Sequence, residues 1–270
     1  MPITDWDDAY ANAAHIPGAD GFLADWPART AALRARHPAE TLRYGPGARQ
    51  SMELFRPDTA AQGLTVIVHG GYWMRFSPDE FAFLAEGPLA RGQAVAVVRY
   101  TLAPEARITQ ITAEVAAAIT AAAATVPGPV HLAGHSAGGH LVTRMACAGA
   151  LPDAVASRIA HVLSVSGVHD LRPLRRTAMN ATLQLDSAEA AAESPALRVP
   201  RDGLRLTCAV GAAERPEFRR QTDLLANIWQ GLGAATQAVH LPGRHHFDVI
   251  DALAAPEGAL TRRLLDQSRP

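Results

Sequence analysis

Short apolar runs alternate with longer amphipathic segments from about residue 64 to the C-terminus. The clearest run, LTVIVHG at 64–70, is rich in β-branched residues and bounded by glycine, which is typical of a strand buried on both faces. Such strands need helices or other strands to cover both of their faces. Further apolar runs predict strands at 93–100, 130–136, 161–167, 205–211 and 235–243, and the run at 49–57 predicts one or two more.

The segments between these strands predict helices. Ser77 is suited to cap a helix, Pro78 to occupy its first position and Gly92 to end it, which predicts one helix over 77–92. Because strands and helices alternate, we predict a single α/β domain over 1–270 with a mostly parallel central sheet and helices on both faces. Further helices are predicted at 107–126, 137–149, 216–231 and 247–267.

Two stretches depart from this alternation. Residues 167–201 contain three prolines and only one short alanine-rich helical segment. A long excursion inside a compact domain often covers a substrate site, so we expect a small cap or lid insertion here. Residues 1–60 mix helix and loop, and we assign them to the same domain.

Composition and charge narrow the class of protein. The 270 residues have a formal net charge of −1 and include 25 arginines but no lysine, so nothing indicates a nucleic-acid partner and no lysine can act as a base. The N-terminus lacks the basic and apolar regions of a signal peptide, and no uncharged apolar run reaches about 18 residues. Cys147 and Cys208 lie in apolar stretches, which is typical of reduced buried thiols. We expect a cytoplasmic enzyme for a small-molecule substrate, without a membrane partner, whose edge strand could support a homodimer.

The strongest local motif is Gly134-His135-Ser136-Ala137-Gly138, which fits the G-x-S-x-G pattern of a nucleophile elbow. It lies between a predicted strand and a predicted helix, where glycines permit a sharp turn and expose the serine hydroxyl. The start of the helix adds N–H groups and the positive end of the helix dipole. A glycine-rich phosphate-binding turn shares part of this pattern. The context favours Ser136 as a nucleophile.

A second motif, His69-Gly70-Gly71-Tyr72-Trp73, directly follows the first buried strand. Acyl transfer passes through a tetrahedral oxyanion, which needs preorganised N–H donors. Glycine lets backbone N–H groups face a ligand without a Cβ in the way. We therefore predict an oxyanion hole from the N–H groups of Gly70, Gly71 and Ala137, although a tight turn alone would also favour these glycines.

A serine nucleophile needs a base and an acid, which follow it in the chain order serine, acid, histidine in this type of fold. Of the eleven histidines, His245 and His246 lie in the loop after the last predicted strand. We favour His246, at the entry to the predicted helix, as the base. The loop after strand 205–211 carries the favoured acid, Glu214, with Glu217, Asp223 and Asp248 as alternatives.

Several segments between about residues 45 and 255 together resemble the α/β-hydrolase-type arylformamidases, or kynurenine formamidases, in a wider set similar to the hormone-sensitive-lipase-like esterases. The serine, acid and histidine of that family fall where Ser136, Glu214 and His246 stand. The usual acid in the family is aspartate, so the glutamate is a departure. HGGYW is the most specific segment, because related lipases and esterases more often read HGGG or HGGA. The segments are HGGYW, RYTLAPE, GHSAGGHL, GVHDLRPLRRTAMN, VGAAERPEF and HHFDVI.

The resemblance implies an α/β-hydrolase fold and hydrolysis of N-formyl-L-kynurenine to formate and L-kynurenine through a formyl-enzyme intermediate, with no cofactor and no metal. The aryl group of that substrate needs an apolar wall, for which Tyr72 and Trp73 are candidates unless they pack in the core. Arginine pairs well with carboxylates. Candidate groups for the substrate carboxylate lie within 167–180, at His169, Arg172, Arg175, Arg176 and Asn180.

Three other functions are alternatives to formamide hydrolysis. A carboxylesterase for short acyl esters needs the same triad, and it is the main alternative. A metal-dependent amidase needs clustered histidine and carboxylate ligands, whereas the adjacent pair His245 and His246 is poorly spaced to chelate zinc. A non-catalytic binding protein on this scaffold would be expected to lack a triad residue, and all three candidates are present.

Overall fold

One eight-stranded sheet forms the centre of the computed structural model, which describes residues 3–266. The strands are β1 (Glu40–Arg43), β2 (Ser51–Phe55), β3 (Leu64–Val68), β4 (Ala94–Arg99), β5 (Val130–His135), β6 (Ile159–Val165), β7 (Arg205–Gly211) and β8 (Ala235–Leu241). Their order in the sheet is β1-β2-β4-β3-β5-β6-β7-β8. β2 is antiparallel to both of its neighbours, and all the other pairs are parallel. The mostly parallel sheet predicted from the sequence is therefore confirmed.

Helices cover both faces of the sheet, as predicted. Alternate residues of β3 separate the two sides, since Val66 and Val68 join one buried apolar cluster and Ile67 joins the other. The helices are α1 (Trp6–Tyr10), α2 (Ala19–Arg36), α3 (Pro78–Phe81), α4 (Glu86–Ala90), α5 (Ile108–Thr125), α6 (Ala137–Met145), α7 (Asp153–Ala156), α8 (Asn180–Leu183), α9 (Ser187–Ala192), α10 (Pro216–Gly231), α11 (Asp251–Ala254) and α12 (Ala259–Leu265).

Helix α5 is long and apolar enough to cross a membrane by length and composition alone. Its residues Ile111, Val115 and Ile119 are fully buried and belong to the same apolar cluster as Val66 and Val68. A core helix of an α/β domain has this composition because one side of it packs on the sheet.

Two predicted helices are shorter and more broken than their sequence pattern suggests. The predicted helix 77–92 is α3, a 3₁₀ turn at Ala82–Ala85 and then α4, because Pro88 has no N–H to continue the helical hydrogen bonds. The start is as predicted, with the Ser77 hydroxyl accepting from the Asp79 N–H. The predicted helix 247–267 is divided into α11 and α12, so His246 precedes a turn and not a helix.

The segment 167–201 is tied to the body of the domain by buried polar contacts. The carboxylate of Glu193, at the end of α9, accepts hydrogen bonds from Arg144 Nε at 2.9 Å and Thr112 Oγ1 at 2.8 Å. Arg144 lies on α6 and Thr112 on α5. The segment therefore packs over both helices on one face of the sheet.

Candidate active site

Ser136 lies on a strained turn between β5 and α6. Its backbone angles are φ 55° and ψ −116°, a conformation that residues other than glycine rarely adopt and that costs about 1–3 kcal/mol. Two backbone hydrogen bonds hold it, from the Ser136 N–H to the Val165 carbonyl at 2.8 Å and from the His140 N–H to the Ser136 carbonyl at 3.1 Å. Strain of this kind is characteristic of a nucleophile elbow.

The two glycines of the G-x-S-x-G motif are sterically required. A Cβ on Gly134 would lie 2.1 Å from the carbonyl oxygen of Gly138, and a Cβ on Gly138 would lie 1.9 Å from that of Val68. Both distances are far inside van der Waals contact with backbone atoms that cannot move independently. The motif is therefore a consequence of how closely α6 approaches β3 and β5.

His246 and Glu214 form a buried pair. The ring nitrogen Nδ1 of His246 donates to Glu214 Oε2 at 2.6 Å. The other carboxylate oxygen, Oε1, accepts from the Ser166 hydroxyl at 2.6 Å and from the Gly211 N–H at 2.8 Å. These contacts fold the longer glutamate side chain back over its own loop, so its carboxylate reaches the histidine. The arrangement leaves Nε2 of His246 to exchange a proton with a nucleophile.

The alternative bases and acids lie elsewhere. The ring of His245 packs edge-on against Phe22, with its Nδ1 3.2 Å from Asp248. Asp223 contacts His240. Glu217 accepts from the Tyr10 hydroxyl at 2.8 Å and pairs with Arg220. None of these carboxylates contacts His246.

His135 supports the loop that carries His246. Its Nε2 donates to the His246 carbonyl at 2.9 Å, and the two ring centroids are 4.6 Å apart. Burial and the neighbouring charge of protonated His246 hold the pKa of His135 well below its ordinary value. His135 is therefore a neutral ring beside the catalytic candidate. The sequence indicated it only as the variable position of the motif.

Two of the three predicted oxyanion donors, Gly70 and Ala137, lie directly beside Ser136. Ala137 is the first residue of α6, where N–H groups have no acceptor within the helix. A Cβ on Gly70 would lie 3.1 Å from Ser136 Cβ, which places the Gly70 backbone beside the nucleophile. The carbonyl of Gly71 accepts from the Met74 and Arg75 N–H groups, which turns the loop. Among residues 3–266, no protein group accepts a hydrogen bond from the N–H groups of Gly70, Gly71 and Ala137.

Ser136 and His246 line one cavity of about 390 Å³. Its wall is largely apolar and aromatic, and much of it comes from residues 7–14, called here the N-terminal segment. Of the predicted lid 167–201, only Met179 reaches this cavity. The principal other lining residues are Leu23, Trp26, Gly71, Tyr72, Met74, Arg75, Phe76, Phe81, His135 and Phe247.

Tyr72 connects the oxyanion loop to the N-terminal segment. Its hydroxyl donates to the Tyr10 carbonyl at 2.6 Å and accepts from Asn12 Nδ2 at 3.0 Å. Burial raises the pKa of Tyr72 to about 12, so the hydroxyl stays protonated. The structure thus places Tyr72 in the cavity wall, where the sequence analysis expected it. No pattern in the sequence indicated Tyr10 or Asn12.

Trp73 and His169 do not lie where the sequence analysis placed them. Trp73 is fully buried, and its indole N–H donates to Nδ1 of His140 at 3.2 Å. His169 is also fully buried, with its ring 3.2 Å from the Thr143 hydroxyl, and burial lowers its pKa to about 3. Both are core residues and neither lines the cavity. Of residues 72–76 in the loop after β3, Trp73 alone does not line the cavity, because its indole packs against α6.

The polar candidates within 167–180 also point away from the cavity. Arg172 pairs with Asp170, the Arg176 guanidinium lies 5.5 Å from the Trp6 ring, and Arg175 contacts the Ser187 hydroxyl. The Asn180 side chain bonds to the backbone of Leu185. Within residues 3–266, no three His, Cys, Asp or Glu side chains cluster as they would to hold a metal ion.

Known proteins are similar to this chain in sequence and in fold. A family model described as the alpha/beta hydrolase fold matches residues 65–247. The kynurenine formamidases of Danio rerio and Salmo salar are 28% and 29% identical to the chain, and each alignment covers 86% of this chain and 83% of the relative.

Solved structures of other proteins are also similar to this chain. A protein of Silicibacter sp. TM1040, provisionally described as a thioesterase, is 44% identical with a TM-score of 0.91, covering 96% of this chain and 98% of that one. A Pyrobaculum calidifontis esterase has a TM-score of 0.72 at 19% identity, over 95% and 92% of the two chains, and shares the fold alone. With its elbow, sheet order and matched family model, this chain belongs to the α/β-hydrolase family and is a hydrolase similar to kynurenine formamidases.

Proposed function

We propose that the chain is a serine hydrolase that cleaves the formamide of N-formyl-L-kynurenine to formate and L-kynurenine. The observation that carries this proposal is the strained Ser136 and the buried Glu214–His246 pair, which open on one largely aromatic cavity. The likeness to kynurenine formamidases of two fishes and of Drosophila melanogaster, at 28–29% identity, supports the choice of substrate.

The first half of the reaction forms a formyl-serine. His246 Nε2 takes the hydroxyl proton of Ser136 as Oγ attacks the formyl carbon. The resulting oxyanion accepts hydrogen bonds from the N–H groups of the oxyanion loop and of Ala137. Glu214 stabilises the imidazolium. When the tetrahedral intermediate collapses, His246 gives its proton to the arylamine nitrogen, the C–N bond breaks and L-kynurenine leaves.

The second half releases formate. A water molecule gives a proton to His246 Nε2 while its oxygen attacks the formyl carbon of the ester on Ser136. The second tetrahedral intermediate collapses by breaking the bond to Ser136 Oγ, which takes the proton back from His246. The enzyme returns to its starting state, and the two steps together consume one water molecule and need no oxidant or reductant.

The shape of the cavity suits an aryl substrate. Its volume of about 390 Å³ is at the lower end of the range for small-molecule sites. Trp26, Phe76, Phe81 and Phe247 contribute aromatic surface, which packs well on a flat aryl ketone. The formyl group is small, so it needs little room beside Ser136.

Hydrolysis of short acyl esters or thioesters is the second candidate, because the same triad serves all three bonds. The Silicibacter protein, which is 44% identical and provisionally described as a thioesterase, gives this candidate its support. The shape and charge of the cavity distinguish the substrates, and the triad does not.

The test compares turnover of N-formyl-L-kynurenine, p-nitrophenyl acetate and acetyl-CoA by the wild type, Ser136→Ala and the exposed control Ser157→Ala. We expect the highest kcat/KM for the formamide, a loss of at least about 10³-fold in Ser136→Ala and no change in Ser157→Ala. Ester or thioester turnover with little deformylation would replace the substrate assignment. Full deformylation by Ser136→Ala would overturn the serine mechanism.

A further inference from the structure

Two side chains with a formal charge, Asp7 and Arg75, line the largely apolar cavity, and both residues are exposed at its rim. Neither takes part in an ion pair among the described residues. The Arg75 guanidinium lies 4.9 Å from the ring centroid of Phe76 and is largely exposed. One carboxylate oxygen of Asp7 accepts the Ala178 N–H at 2.6 Å, and its second oxygen has no such contact. An exposed cation and an exposed anion at one cavity, each free of an ionic partner among the described residues, are available to a ligand that carries both charges.

Asn12 provides a second, independent observation. It is only 4% exposed and lines the same cavity. Its Nδ2 is committed to the Tyr72 hydroxyl, whereas Oδ1 is buried and has no hydrogen-bond partner among residues 3–266. A buried amide oxygen without a donor is costly, and such groups are rare in native structures. A ligand N–H would satisfy it.

We propose that Asp7, Asn12 and Arg75 form a subsite for the zwitterionic head group of a free α-amino acid. Arg75 pairs with the α-carboxylate, because its planar guanidinium matches a carboxylate with two parallel hydrogen bonds. The α-ammonium group donates to the Asp7 carboxylate and to Asn12 Oδ1. This inference rests on the proposed function for the identity of the amino acid, and it adds the residues that recognise the head group of that substrate.

The subsite also separates the two candidate functions. A simple alkyl ester offers no charge to Asp7 or Arg75, so it gains nothing from them. A substrate with both charges neutralises the two residues and gives Asn12 its missing donor. The N-terminal segment supplies two of the three groups, so it acts in specificity.

The experiment measures binding, which requires no turnover. Isothermal titration gives the Kd of the full chain for L-kynurenine, for 2-aminoacetophenone, which lacks the head group, and for 4-(2-aminophenyl)-4-oxobutanoate, which lacks only the ammonium group. We expect L-kynurenine to bind roughly 10- to 100-fold more tightly than 2-aminoacetophenone, as charged hydrogen bonds do. Arg75→Gln should remove most of that difference. Asp7→Asn should weaken L-kynurenine binding by about tenfold and change the binding of the ammonium-free acid much less.

Matched controls are Arg198→Gln and Asp20→Asn, which change exposed charges outside the cavity and should leave each Kd unchanged. The proposal is overturned if L-kynurenine binds the wild type no more tightly than 2-aminoacetophenone, or if its Kd is the same in Arg75→Gln. Failure of the proposed function would appear separately, as an absence of formate release from N-formyl-L-kynurenine while the head-group dependence of binding persists.

Discussion

The loops that carry the proposed catalytic residues, called here the catalytic loops, and the N-terminal segment line one cavity, and different contacts hold them in place. The catalytic loops follow β3, β5, β7 and β8, whose carboxyl ends meet at the same edge of the sheet. The N-terminal segment is held by side-chain hydrogen bonds to distant residues, such as Tyr10 to Glu217, 207 positions away. The backbone of the sheet therefore positions the proposed catalytic residues, whereas single side chains hold the proposed substrate-binding segment in place.

The body of the domain and its N-terminal region, here residues 3–18, also differ in their histidines. In the body of the domain, burial lowers the pKa of six imidazoles, whereas His15 in the N-terminal region is exposed and contacts Asp8. The pKa falls to about 3 or 4 for five of them and well below the ordinary value for His135. The six residues are His69, His131, His135, His140, His161 and His169.

Acid should therefore lower the free energy of unfolding of the domain. A buried imidazole stays neutral in the folded state, but the same group in the unfolded chain takes a proton near pH 6.5, so stability is present above that pH and is lost as pH falls towards 4. Between pH 7 and 5.5 each imidazole contributes a loss of about 1 kcal/mol, or about 6 kcal/mol for the six together. Urea unfolding at the two pH values measures this loss.

The control for the acid effect is His37→Gln, which changes an imidazole that is not buried. It should shift neither the pH dependence nor the proton uptake on unfolding. A free energy of unfolding that stays level between pH 7 and 5.5 would mean that these imidazoles are not held neutral, and the electrostatic difference between the two regions would disappear.

The next prediction concerns two glutamates that lie three residues apart: Glu214 contacts His246, and Glu217 contacts Tyr10 of the N-terminal segment. Glu214→Gln keeps the size of the side chain but removes the charge that fixes the His246 tautomer, so kcat should fall about 10³- to 10⁴-fold. Glu217→Gln alters the contacts with Tyr10 and Arg220, and kcat should fall less than about tenfold. Steady-state kinetics on the preferred substrate measures both. An equal loss of kcat in the two variants would contradict the assignment of Glu214 alone as the catalytic acid and favour the alternative, Glu217.

The sheet and the catalytic loops follow from local signals in the sequence. Gly134 and Gly138 are required by contacts within one strand–turn–helix unit, so the motif itself reports the geometry. Glu214 and His246 follow consecutive strands of a parallel sheet, and chain order is enough to bring them to the same edge. The ends of helices are harder to predict, because Pro88 interrupts the helical hydrogen bonds without changing the apolar pattern around it.

No local pattern in the sequence predicts that the N-terminal segment lines the cavity. Tyr10 and Asn12 act through contacts with residues about 60 to 207 positions away, and no short pattern encodes such a distance. Trp73 and His169 show the opposite error, since an aromatic or polar residue next to a motif need not face the ligand. Their burial is decided by packing against His140 and Thr143, on an element far along the chain.

The smallest effect is expected for Tyr72→Phe, which tests whether the N-terminal segment affects substrate binding and not the chemical step. Tyr72→Phe removes the hydroxyl that bonds to Tyr10 and Asn12, which should cost about 1–2 kcal/mol of stability. KM should rise several-fold with kcat within about twofold, because the loops that carry Ser136, Glu214 and His246 are untouched. Tyr44→Phe is the matched control, since its hydroxyl donates to the Arg99 carbonyl at 2.6 Å outside the cavity. It should lose similar stability without a change in KM. If both variants raise KM equally, general loosening of the fold explains the effect, and the division between a rigid catalytic wall and a separately held binding wall is wrong.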